Sequence, residues 1–325
     1  MTNHYIRQGA TGNNTGTDWT NAWTALPAAL FRGDTYYIAD GNYGSYTFDD
    51  ATSGSAYIYI KKATIVDHGI ETGWSDSYGD GQTTFTAWTI ITGYWDINGQ
   101  VGRLASDMPN YVPYGFVVSQ NGGNQSKIIS IGASGSGNNV NISHTEAYFT
   151  NTTTWATNMD VIYGNGPYWN FDYVWLHDGG RVLIYMISTN NLTVSNSVIE
   201  KNGRGQFEMN WSPTEHSELM PLRGSNGVLN YNIFRDWRST GGVMFMGWNS
   251  DESGCHYWDV YGNVFVQTGY YPNVGNANGS IAHDSSGHYS SHLYLYNNTV
   301  PNGIYPDIGA YEYYCPPISI IFNII

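Results

Sequence analysis

Five of the chain's twelve lysines and arginines, Lys201, Arg204, Arg223, Arg235 and Arg238, fall within one stretch of 38 residues, where an even spread would place roughly one or two. Glu208, Glu215, His216, Glu218 and Asp236 share that stretch, and Glu200 adjoins it. In a chain with only 12% charged residues, such crowding points either to chemistry or to an ion-pair network between neighbouring strands. Two kinds of glycan cleavage use these residue types. β-Elimination from a uronic acid needs a base for the proton beside the carboxylate and a cation for the charge that develops. His216 is the candidate base, with Arg223 and Arg235 as the cations. Hydrolysis needs two carboxylates flanking the bond, one of them kept protonated, and Glu208, Glu215, Glu218 and Asp236 are available. The catalytic candidates are His216, Glu218, Arg223 and Arg235, and the substrate-binding candidates are Lys201, Arg204, Glu208, Trp211 and Arg238. The arginines favour an acidic sugar, and hence elimination. Trp211, Trp169, Trp175, Trp237, Trp248, Tyr270 and Tyr271 offer flat faces for sugar rings, although most rings in a β protein fill its core. His283 and Asp284 read either as an orienting pair on the same face or as a solvated surface pair.

These residues must be held by something, and the chain supplies a repeat. One eight-residue phrase recurs as WNFDYVWL from 169, LTVSNSVI from 192, GVLNYNIF from 227, WDVYGNVF from 258 and LYLYNNTV from 293. The starts are 23, 35, 31 and 35 residues apart, a period of stacked coils rather than of one closed core. Within each phrase apolar residues alternate, break and resume, which reads as strand, bend, strand. Place six is Asn232, Asn263 and Asn298 in three copies, so amides are expected to stack one above another at the bend. A further strand-like run lies between phrases (RVLIYMI, SELMPLRG, GVMFMG, SIAHDS), giving about three strands per period. The expected fold is all-β, a parallel β-helix solenoid over residues 1–325, with the clearest repeats at about 165–305. The segment from Lys201 to His216 is the longest insertion between a phrase and its next strand, and solenoid insertions usually build the binding face.

Composition agrees. Glycine (39 residues) and aromatics (16%) are abundant, and the formal net charge of -14 excludes nucleic acid as a bulk partner. Two cysteines, Cys255 and Cys315, read as isolated thiols or as one tie between the tail and the last coils. No run of 18 apolar residues predicts membrane insertion, and no secretory leader is visible. Near the start, Asp18 is placed to cap a helix with Trp19, Trp23, Leu26 and Leu30 on one face, ending at Gly33 and bent by Pro27; residues 1–33 would then plug the open end of the coil. Asp76 and Asp80 in SDSYGDGQ read as a solvated turn rather than a calcium loop. From 67 to 164 strands are recognisable, but their register is not.

The order YIRQGATG, GTDW and GDTYYIADGNY at the start, with PDIGAYEY at 306–313, resembles the ends of secreted and phage-encoded right-handed parallel β-helix proteins of the pectate-lyase-like superfamily. That resemblance covers nearly the whole chain and implies a carbohydrate-active or glycan-binding protein, extracellular or virion-associated, trimeric if it is a tailspike. Residues 306–325 would be the C-terminal cap and tail. Glu215 to Arg223 is also similar, over about ten residues, to the alginate lyase and chondroitinase B family, whose phrase carries acidic calcium ligands followed by a lysine base. Here Glu218 matches a ligand, which makes Ca2+ the expected ion, while His216 replaces the second acid and Arg223 stands where the lysine would be. The resemblance thus implies a polysaccharide lyase, with a glycoside hydrolase or a non-catalytic adhesin as the other readings.

Overall fold

The computed structural model describes residues 1–103, 111–123, 125–132, 137–151, 159–186, 190–202, 218–237, 241–246, 255–268, 281–284, 291–299, 308–311 and 319–321. Its strands form two sheets, one of 17 strands and one of nine. In both, each strand pairs in parallel with its counterpart one coil on: Val140–Phe149 with Trp169–His177, then Leu192–Ser195 and Val198–Glu200, and so up the molecule. The register that the sequence left open is now fixed, with Val140 between Trp95 and Trp169. The three sheet-like runs per period are two strands of the large sheet separated by a bend, and one of the nine-stranded sheet.

Alternation makes the core. In the large sheet Trp95, Val140, Trp169, Leu192, Trp258 and Leu293 occupy one inward row, and Val118, Ala147, Leu176, Ile199, Phe234 and Phe265 another, all buried. One apolar cluster runs from Ile6 to Leu295, each fully buried side chain contributing about 1.5–3 kcal/mol. Row neighbours compensate in size. Gly227 lies abreast of Leu192 and Trp258, and a Cβ there would come within 2.2 Å of the Trp258 ring. Gly227→Ala is therefore expected to cost about 2 kcal/mol in urea denaturation, partly recovered by Trp258→Leu, since leucine fills this row at 192 and 293.

The repeated asparagines stack as expected. The Asn232 amide N–H donates to Asn263 Oδ1 (2.9 Å) and that of Asn263 to Asn298 Oδ1 (3.1 Å), and all three side chains are buried. Each Nδ2 also donates to the carbonyl of a residue in the preceding coil, at Val194, Leu229 and Val260 (2.8, 2.8 and 2.7 Å). Ser197 continues the ladder upward, its Oγ accepting from the Val174 amide at 3.0 Å. The left-handed residue of the bend is not the asparagine itself. It is the residue before it, in the row His144, Tyr173, Asn196, Tyr231, Gly262 and Asn297, every one at φ between 50 and 66.

The N-terminal capping helix is absent. The segment forms turns instead: Asp18 Oδ1 accepts from the Asn21 amide (2.8 Å), and Trp23 bridges in parallel to Ile6. Hydrogen bonds from Trp23 N to Tyr5 O and from Arg7 N to Trp23 O commit the backbone to strand pairing, and the threonines and Pro27 make helix the weaker competitor. The plug still works through packing, with Trp19 fully buried in a satellite cluster with Tyr5, Ala22, Tyr37, Ala39 and Ala63. Asp76 lies in a single 3-10 turn, its Oδ1 accepting from Trp74 Nε1 at 3.1 Å. Cys255 is buried with its Sγ 3.0 Å from the Leu222 carbonyl oxygen, and Cys315 lies outside the described residues. Among the described residues no helix is long and apolar enough to cross a membrane.

Candidate active site

Charge collects at the corner where the large sheet hands the chain to the nine-stranded one. In Trp169–His177, Val174 and Leu176 point inward, so Trp175 and His177 point out. Register places Tyr148, His177, Glu200, Arg235 and Val266 in one outward row, with Glu146 and Trp175 in the row beside it. The Nε2 of His177 lies 3.1 Å from Glu146 Oε1, and its Nδ1 lies 2.7 Å from Asp178 Oδ2. Its ring is sandwiched between Tyr148 (centroids 4.6 Å) and Trp175 (4.0 Å), leaving the residue 6% exposed. Burial alone would push the imidazole pKa down, but the hydrogen bonds to Asp178 and Glu146 outweigh it and hold the pKa above the ordinary value.

Glu200, in the next coil, is fully buried and triply held: by the Arg235 guanidinium, by Trp175 Nε1 (3.0 Å) and by Lys201 Nζ (3.6 Å). Burial raises its pKa, yet the Arg235 hydrogen bond and charge reverse the sign and leave it below the usual carboxylate value. The same pair lifts Arg235 against the opposing effect of burial. Asp178, Lys201 and Asp236 follow the row in left-handed conformation, at φ 52, 60 and 51, and turn the chain toward the second sheet. Asp236 accepts from the Thr268 amide at 2.7 Å. Tyr111 and Tyr114 stand over Trp175 at 6.4 and 6.3 Å, completing an aromatic wall.

Across the corner a second cluster begins the strands of the other sheet. Asp160, fully buried, takes a two-pronged contact from Arg181 (2.8 and 2.7 Å) and a further one from Lys127. Glu218 opens its strand opposite Gly241, buried, and its charge also acts on Arg181. Only Asp178, Gly179 and Gly180 separate His177 from Arg181, so both clusters flank one turn.

Of the residues singled out by sequence, Lys201 and Arg235 come together on Glu200, and Glu218 starts the neighbouring sheet. Arg223 does not join them. The strand Glu218–Leu222 runs straight through Pro221, where a bend would have been required, so Arg223 lies one strand length away, roughly 16 Å at the usual rise. Arg204, Glu208, Trp211, His216 and Arg238 lie outside the described residues, as do Glu215, Trp248, Tyr270 and Tyr271 and the side chains of His283 and Asp284. The described ends of the insertion, Asn202 and Glu218, both belong to this corner. Glu146, His177 and Asp178 were missed. The readable signal was the His-Asp pair immediately after the first repeat phrase; Glu146 needed the register of the preceding coil. Glu218 was the tentative metal ligand, and among the described residues no group of three His, Cys, Asp or Glu side chains is placed to hold an ion.

No family model matches the chain, and no curated protein does. Two solved structures resemble it. Pectate lyase Pel9A aligns over 97% of this chain and 80% of its own, at 14% identity and a TM-score of 0.52. The A-module of the Azotobacter vinelandii mannuronan C-5 epimerase AlgE4 aligns over 87% of this chain and 90% of its own, at 11% identity and a TM-score of 0.30. With the parallel ladders and the bend asparagines described above, the first of these establishes the architecture: the chain is a right-handed parallel β-helix with the fold of a pectate lyase.

Proposed function

We propose that this protein cleaves an acidic polysaccharide by β-elimination at the corner built by Glu146, His177, Glu200, Lys201 and Arg235. The observation that supports it is the pairing of a buried charge network with an aromatic wall on the outward face of a β-helix. Trp175, Tyr148 and Tyr111 suit the apolar faces of sugar rings, and the two cations suit a uronate carboxylate. Elimination breaks the C5–H bond, forms a C4–C5 double bond and expels the C4 oxygen. Lys201 and Arg235 neutralise the carboxylate as charge develops on it. His177, with both ring nitrogens held by Glu146 and Asp178, positions Tyr148 and Trp175, and the proton taken from C5 by the base is passed on to the departing C4 oxygen. His216, in the insertion that leaves and re-enters this corner, is the base. If an ion takes part, Glu218 is its ligand and calcium its identity.

The test is a panel of acidic and neutral polysaccharides, following the ultraviolet absorbance of unsaturated product together with reducing ends. Elimination raises both, and hydrolysis by paired carboxylates raises only the second. Retention on a polysaccharide gel with neither signal would make the protein a glycan-binding adhesin. Arg235→Lys keeps the charge that buried Glu200 requires but loses the fork, and is expected to lower kcat/KM by about 10²-fold. A chelator that leaves the rate unchanged would remove the metal from the scheme.

A further inference from the structure

A second surface, on the C-terminal coils, is built differently from the charged corner. The left-handed bend row holds Asn196, Gly262 and Asn297, residues that take this conformation at little cost, and three bulky ones, His144, Tyr173 and Tyr231 at φ 50, 50 and 58, of which His144 and Tyr173 stack on each other and Tyr231 alone is exposed. At the other end of the same strands a second left-handed row runs Tyr94, Asn139, Tyr168, Asn191, Asn226 and Tyr257, at φ between 52 and 63, and in the C-terminal coils Tyr257 is its tyrosine. Tyr231 and Tyr257 are more than half exposed, 59% and 53%, so burial offsets little of the backbone strain. A bulky residue held in a strained conformation while open to water marks a surface kept for contact rather than for stability.

The setting of Tyr231 is specific. One face of its ring lies over Gly262, where a Cβ would come within 2.7 Å of the ring, so the missing side chain is what lets the ring lie flat. Beside it Tyr261 and Tyr296 stack at 4.9 Å with planes 6° apart, and Tyr231 stands at 84° to Tyr261. Tyr231 thus offers an open aromatic face next to two phenol edges, with Asn230 Nδ2 donating to the Tyr261 hydroxyl at 3.3 Å. Tyr294 and Asp259 are paired on the same outward face between the two corners. Asp259 is the acidic side chain of this patch, which among the described residues carries no lysine or arginine to meet a polyanion.

We infer that Tyr231, Tyr261 and Tyr296, with Tyr257 at the far edge, form a binding platform for a neutral glycan, a pyranose stacking on Tyr231 while its hydroxyls bond the phenols and Asp259. Aromatic faces bind the C–H faces of sugars without any charge, and an acidic patch repels a uronate chain. The inference goes beyond cleavage at the corner and holds whether or not anything is cut there.

Affinity electrophoresis of the full chain in gels containing xyloglucan, galactomannan or dextran tests it, with alginate and polygalacturonate as acidic probes. Wild type should be retarded by at least one neutral polymer. Tyr231→Asn, which installs the residue the same bend carries in neighbouring coils, should weaken that retardation by about tenfold without lowering the melting temperature. Tyr231→Asn combined with Tyr261→Ser should abolish it. Indifference of wild type to every neutral polymer, or equal retardation of the variants, overturns the platform. Binding to acidic polymers alone also overturns it while leaving the corner's chemistry intact. Sedimentation showing a dimer that these substitutions dissociate would make the surface a subunit interface and likewise overturn the platform.

Discussion

His177→Ala is expected to destabilise the protein by about 3 kcal/mol at neutral pH, because it leaves Glu146 and Asp178 facing each other in a space closed by Tyr148 and Trp175. Adding Glu146→Gln should recover part of the loss, since a neutral amide removes the repulsion that the imidazolium had cancelled. The pH dependence gives a sharper signature. With a native pKa above its unfolded value of 6.5, His177 contributes stability that is fully present below that value and is lost as pH rises through the native pKa. Glu200 acts in the opposite sense. Its native pKa lies below 4.5, so its contribution is present above that value and disappears as pH falls through the native pKa. Wild-type melting temperature should therefore decline as pH rises from 6.5 through the native His177 pKa, and His177→Phe should be less stable at pH 6 yet lack that decline. A variant whose alkaline limb matched wild type would show that the imidazole is neutral in the folded protein.

The parts of this molecule that could be read from sequence are those that repeat. Place six of the phrase carries asparagine because its amide joins two coils at once, so the same constraint is written once per turn of the solenoid, and strand alternation around it is regular for the same reason. The N-terminal plug is not repeated. There Trp19, Trp23 and Leu30 have helical spacing, but the edge of the first coil offers Tyr5 and Ile6 as strand partners, and tertiary pairing overrides the local preference. The site was legible on one side only. Lys201, Glu200 and Arg235 lie inside or next to the repeat phrases and were found by their crowding. His177 and Glu146 are 31 residues apart, and their contact depends on the register of a coil that carries no copy of the phrase. Arg223 was grouped with Glu218 by the crowding of cations and by its place in the ten-residue family resemblance, and a straight strand converts those five residues into separation.

Asn263→Ala should be nearly as damaging as loss of His177, for a reason that belongs to the fold rather than to the site. The Oδ1 of Asn263 accepts from both the backbone N–H and the Nδ2 of Asn232 (2.9 and 3.1 Å), and its own Nδ2 donates to the Leu229 carbonyl at 2.8 Å. All of these groups sit where water does not reach, with Asn232 and Asn263 1% or less exposed. Truncation leaves donors on Asn232 and an acceptor on Leu229 without partners, at about 1–3 kcal/mol for each group left unsatisfied, so a total near 3 kcal/mol is expected after relaxation. Asn263→Ser should cost less, because a hydroxyl can still accept from the coil above, as Ser197 does from Val174. Asn263→Asp should cost more than serine, since a second carboxylate oxygen would face the Leu229 carbonyl. Urea denaturation of the three variants measures the order, and amide exchange at Asn232 locates it, because each coil contacts only its neighbours and the loss should open the coils on either side first. If alanine and serine proved equal in stability, the acceptor that serine retains would contribute nothing, and if alanine matched wild type the asparagines would be a by-product of the bend rather than what joins its coils.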